Sequence, residues 1–125
     1  MRRVVVTGLG MVSPLAGNVE GSWKRLIKGE SGIRAIEAFD VSDLPAKIGG
    51  FVPSSETADF GDDLFNPSAY MEPKDQRKID RFILLGCAAA DQAIKDANWA
   101  PTDSESLERT GVLLGSGIGG LDEID

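Results

Sequence analysis

The chain has 125 residues, 42% of them hydrophobic and 26% charged, with a formal net charge of −7 and no histidine. That length suits one globular domain, and the composition excludes a collagen, a disulfide scaffold and a disordered chain. The acidic balance argues against a general nucleic-acid binder, which needs a basic surface to neutralise phosphate, and the single cysteine, Cys87, excludes an intrachain disulfide.

Residues 3–9 form a short β-branched run closed by glycine, the pattern of a strand buried on both faces. The run breaks at Thr7-Gly8, too early for an export signal. No run reaches the roughly 20 apolar residues of a membrane helix, so a cytoplasmic protein is expected. Asn18 is a candidate N-cap, and Val19, Trp23, Leu26 and Ile27 fall on one stripe of an amphipathic helix that Gly29 closes. A second strand is expected near Ala46–Val52. Residues 53–73 are rich in Ser, Asp, Gly and Pro and read as a long irregular excursion.

Pro73 then opens a long predicted helix. Its first part, Lys74–Asp80, is polar, and Phe82–Ala90 is apolar on every side, which predicts burial within something larger. Asn98 ends it, with Pro101 beyond. Thr102 and Glu105 match a capping box for a short helix. Thr110–Leu114 reads as another buried strand, running into Gly115-Ser116-Gly117-Ile118-Gly119-Gly120. The order β-α-β-α-β predicts an α/β fold with a largely parallel sheet. Ending just past a glycine-rich loop that follows a core strand, the chain reads as incomplete.

The glycine loop meets the pattern G-x-G-x-x-G by composition, and no acidic residue some 20 positions later exists to hold a ribose. A loop of close backbone approach is the simpler reading. Walker A and G-x-S-x-G patterns are absent, and without histidine no Ser-His or Cys-His couple forms within these residues. Cys87 lies mid-helix with no basic neighbour that would favour a thiolate, so it reads as a small buried hydrophobe. Lys74, Arg77, Lys78 and Arg81 are spaced i, i+3, i+4, i+7, which on one continuous helix makes a cationic stripe. Such a stripe serves either solubility or the docking of an acidic partner.

Four stretches together resemble one family. Arg3-Val4-Val5-Val6-Thr7-Gly8-Leu9-Gly10-Met11-Val12-Ser13-Pro14 is similar to the opening strand and turn of β-ketoacyl-acyl carrier protein synthases. Gly29-Glu30-Ser31-Gly32-Ile33 resembles the close of their first helix. Lys74–Phe82 and Gly115–Leu121 complete the pattern in order and spacing. The resemblance implies the N-terminal part, residues 1–125, of the first half of a thiolase-like fold: a mixed, largely parallel sheet with buried helices, incomplete here and a homodimer in the full-length enzyme.

It also implies an acyltransferase of type II fatty-acid synthesis that elongates acyl-carrier protein with malonyl-carrier protein by decarboxylative Claisen condensation. The family's nucleophilic cysteine and its two histidines have no counterpart in this chain, so no catalytic residue is assigned and the chain alone is expected to be inactive. No cofactor or metal is expected. Lys74, Arg77 and Lys78 match the positions that meet acyl carrier protein, and Ile118 the position that lines the acyl pocket. Isoleucine there resembles the synthase II type. A polyketide ketosynthase or its chain-length partner is the alternative within enzymes. A small non-catalytic α/β module binding an acidic partner is the alternative outside them.

Overall fold

A computed structural model describes residues 2–56 and 63–120. Two compact units divide the chain: residues 11–67, and residues 1–10 together with 68–125.

In the first unit, α1 spans Val19–Ile27. The Asn18 side-chain oxygen accepts the Gly21 N–H at 2.7 Å, satisfying one of the amides a helix start leaves unpaired. At the other end Gly29 takes φ +71°, where L side chains are strained. Its N–H then reaches the Leu26 carbonyl at 3.0 Å and the Glu30 N–H reaches Arg25 at 3.1 Å, a Schellman close. Both ends of α1 are therefore those expected from Asn18 and Gly29. Its orientation is not. The buried face carries Gly21 and Ser22, whereas Trp23, Leu26 and Ile27 are each more than half exposed.

Two short strands follow, β1 (Ile33–Ala35) and β2 (Ile48–Gly50). They pair antiparallel, Ile33 opposite Gly50 and Ala35 opposite Ile48. The excursion after β2 is closed at its neck by an isolated parallel bridge between Ser54 and Phe65. There the Phe65 N–H donates to Pro53 at 2.8 Å and the Ser55 N–H to Phe65 at 2.9 Å. Pro53 and Phe65 are the largest fully buried side chains among the described residues. Burial of a phenylalanine contributes about 1.5–3 kcal/mol, so this neck anchors the unit.

In the second unit, α2 is a single turn, Pro73–Gln76, with Pro73 in the first turn. A separate helix, α3, runs Arg81–Asp96. The uninterrupted helix expected from Pro73 to Asn98 is thus two helices. The C-terminal end is as expected: Asn98 adopts φ +49°, and the Trp99 N–H closes onto Ile94 at 3.1 Å. The next helix, α4, is Ser104–Glu108. Its cap is Asp103, whose carboxylate accepts the Ser106 N–H at 2.8 Å, one residue later than the Thr102–Glu105 box expected.

Residues 8–10 lie against α3. A Cβ on Gly10 would overlap the Ala89 carbonyl oxygen, and one on Gly8 would overlap that of Ala93. This close approach explains why both positions are glycine. The Leu9 N–H adds a bond to the Asp96 carboxylate at 2.8 Å.

The expected largely parallel sheet is not present among the described residues, whose one sheet is the two-stranded antiparallel pair. Residues 3–9 and 110–114 belong to no ladder. Val4 is 94% and Leu113 97% exposed. Their valines favour a sheet, but a ladder also needs an adjacent strand, and none lies beside them among the described residues. The burial expected of α3 is likewise partial. Leu84 and Ala88 are buried, while Phe82, Ile83 and Ile94 remain exposed, because the described residues cover only one of its faces.

Candidate functional site

The three basic positions singled out by sequence meet at the corner between α2 and α3. Pro73 starts α2 with φ preset for a helix and no amide to lose. The Gln76 side chain donates to the Met71 carbonyl at 2.7 Å, tying that turn to the preceding loop. Arg77 caps α2. Asp80 is extended, with φ −67° and ψ 150°, and stands at the N-cap of α3.

This break changes the electrostatics. Lys74 pairs with Glu72 at 3.1 Å and Lys78 with Asp75 at 2.7 Å. No ion pair forms at Arg77 among the described residues, and its side chain is exposed. The continuous cationic stripe through Arg81 is therefore replaced by a mixed corner, because Asp80 ends one helical frame and starts another. Exposed pairs of this kind contribute about 0–1 kcal/mol each, so an acidic partner can displace them at little cost.

Ile118, the expected pocket residue, sits in the glycine-rich loop and is 76% exposed. Side chains added at Gly115 or Gly117 would meet nothing within 4 Å, whereas Gly119 and Gly120 lie against Phe82 and Asp80. The basic corner and the end of this loop thus converge on the first turn of α3. Asp80 was legible as a start signal, an aspartate directly before an apolar run, but the polar stretch 74–80 masks it.

Cys87 is exposed, contrary to the burial expected of a mid-helix apolar neighbourhood. It points away from the Leu84–Ala88 line that the described residues cover. Among the described residues no group of three or more His, Cys, Asp or Glu side chains is placed to hold a metal ion. No described helix is long and apolar enough to cross a membrane.

A family model described as the β-ketoacyl synthase N-terminal domain matches residues 1–125. The chain belongs to the β-ketoacyl synthase family. It is 52% identical over 124 residues to 3-oxoacyl-(acyl-carrier-protein) synthase 2 of Rhizobium meliloti, covering 99% of this chain and 29% of that protein. It is 46% identical to the synthase 2 of Vibrio harveyi, covering 99% and 27%. A mitochondrial 3-oxoacyl-(acyl-carrier-protein) synthase of Arabidopsis thaliana is 41% identical, covering 98% and 28%. This β-ketoacyl synthase chain therefore spans less than a third of the length of these relatives.

Proposed function

We propose that the chain is the N-terminal part of a 3-oxoacyl-acyl carrier protein synthase of the synthase 2 type. In that reaction an acyl group passes from carrier protein to an enzyme thiol. Malonyl-carrier protein loses carbon dioxide, and the carbanion left behind attacks the thioester carbonyl. A carbon–carbon bond forms and the thiolate leaves. Neither histidine nor a suitable cysteine occurs in residues 1–125, so the reacting groups come from elsewhere in the enzyme.

What this chain contributes is recognition. Lys74, Arg77 and Lys78 dock the acidic surface of acyl carrier protein, and Ile118 lines the acyl pocket. The extended runs 3–9 and 110–114 are completed as strands of a thiolase-like, largely parallel sheet in the full enzyme. That enzyme acts as a homodimer in the cytoplasm.

The observation that carries this reading is the 52% identity to a synthase 2, sustained over 124 residues without restriction to one motif. The test is to supply the purified complete enzyme with acyl- and malonyl-carrier protein and to follow carbon dioxide and 3-oxoacyl product. Equal amounts of both are expected from the complete enzyme and none from residues 1–125 alone. A complete enzyme that forms no 3-oxoacyl product refutes the reading.

A further inference from the structure

We propose that Asp80 is a positioning residue for the glycine-rich loop 115–120, and through it for Ile118. The proposal rests on the reading of Ile118 as the acyl-pocket residue.

An aspartate at an N-cap ordinarily accepts an amide of the first helical turn. Asp80 has the extended backbone of an N-cap, yet its side chain makes no capping hydrogen bond. Its carbonyl oxygen opens the helix in the ordinary way, accepting the Ile83 N–H at 3.0 Å and the Leu84 N–H at 3.4 Å. The carboxylate lies instead against Gly120. A Cβ there would overlap Oδ2 and stand 3.1 Å from Oδ1. Two residues further along α3, the Phe82 ring faces Gly119, with Cζ 3.4 Å from where a Cβ would be.

The two glycines differ in what a side chain would meet. Gly119 has φ +80°, so any L side chain is strained there whatever the space. At Gly120 a methyl group would press on the Asp80 carboxylate, the end of a side chain that can turn aside only by leaving the loop. Gly115 and Gly117 have open surroundings, so among the described residues the loop rests on the molecule at its downstream end. Ile118 directly precedes this seat. Its backbone direction follows from how Asp80 and Phe82 hold the next two residues.

The test uses the complete enzyme that carries this chain, as wild type, Asp80→Ala, Gly120→Ala and the double variant Asp80→Gly/Gly120→Ala. Hydrogen exchange at residues 116–120 reports the seat whether or not the enzyme is active. Faster exchange there in Asp80→Ala, with α3 amides unchanged, is expected; unchanged loop exchange overturns the proposal. The ratio of kcat/KM for a long-chain over a short-chain acyl primer should shift by about tenfold in Asp80→Ala, within what an ångström-scale misplacement can cause. Equal loss for both primers, with a lowered Tm, overturns the link to Ile118 and leaves Asp80 a structural residue. Gly120→Ala, whose methyl group pushes the Asp80 carboxylate aside, should shift the ratio in the same direction, and the double variant, which lacks the carboxylate that seats the loop, should keep the shift of Asp80→Ala. A double variant that restored the wild-type ratio would count against the Asp80 carboxylate as the seat. An inactive wild type with accelerated loop exchange in Asp80→Ala refutes the functional reading while upholding the positioning role.

Discussion

The Asn18 amide nitrogen donates to the Asp63 carboxylate at 3.1 Å, while the oxygen of the same side chain accepts the Gly21 N–H at 2.7 Å. Asparagine here performs two tasks that aspartate cannot combine, although aspartate caps helices equally well. Asn18→Asp should lower Tm more than Asn18→Ser, because it sets two carboxylates face to face. Adding Asp63→Asn to Asn18→Asp should recover most of the loss. Thermal unfolding of the four proteins checks this, and a harmless Asn18→Asp single variant would count against the pairing.

Gly10→Ala should destabilise the chain by roughly 1–3 kcal/mol, the usual cost of forcing a methyl group into packed surroundings. The obstruction is the Ala89 backbone, which cannot rotate away as a side chain would. Gly86→Ala, at a site with nothing within 4 Å, is the matched control and should not destabilise. Denaturant midpoints of the two variants give the comparison.

Asn98 holds the left-handed residue that closes α3. Asn98→Ala should lower Tm, because asparagine's short polar side chain can hydrogen-bond locally in the left-handed region and alanine's cannot, whereas Asn98→Gly, which has no Cβ to strain, should not. Equal Tm values for the two variants would remove the left-handed close from the account of this helix end.

Asp103 has its carboxyl held below the usual value of 3.8, first by the Ser106 backbone amide and then by the Ser106 side chain. A depressed folded-state pKa means that the cap stabilises α4 fully above the ordinary carboxylate range. The contribution is lost as pH falls through the folded value. Protection of the Ser106 amide should fall in that acid window in the wild type. Asp103→Asn, which caps without titrating, should hold its protection across the same range.

Charge reversal at the α2–α3 corner should separate docking from folding. Arg77→Glu in the complete enzyme is expected to raise KM for carrier-bound substrates and flatten their salt dependence. Turnover of small acyl thioesters should be unchanged. Arg77 should matter more than Lys78, which already shares its charge with Asp75 at 2.7 Å. Each contact of this exposed kind contributes about 0.2–1 kcal/mol and weakens with salt. Equal losses on carrier-bound and free substrates would assign the corner to stability alone.

Local signals in the sequence were the most legible. Asn18, Gly29 and Asn98 mark helix ends because a cap depends on one residue and the few amides around it. The second strand near residue 48 was legible too, as a short stretch bounded by Pro45 and Pro53. The break at Asp80 was harder, since Arg77, Lys78 and Ile79 all have the propensity to continue a helix. Periodicity found the apolar stripe of α1 but could not say what it faces. Small Gly21 and Ser22 are the residues that let α1 approach its own unit, and Trp23 and Leu26 lie outward. For Val4–Val6 and Val112–Leu114 the sequence reports a preference for strand, whereas pairing is decided by neighbours far away in the chain.

The bond from Leu9 to Asp96 spans 87 positions, and Gly8 and Gly10 touch α3 between Ala89 and Ala97. On the ribosome, at about 5–20 residues per second, several seconds pass between synthesis of Leu9 and of its acceptor. Residues 11–67 are finished in that interval and can close Gly17 onto Asp63 and Phe65 onto Pro53 by themselves. The valine run at 4–6 therefore waits, apolar and unpaired, while a whole unit matures behind it. Arg2 and Arg3 stand beside that run as flanking charges that discourage strand-to-strand association during the wait.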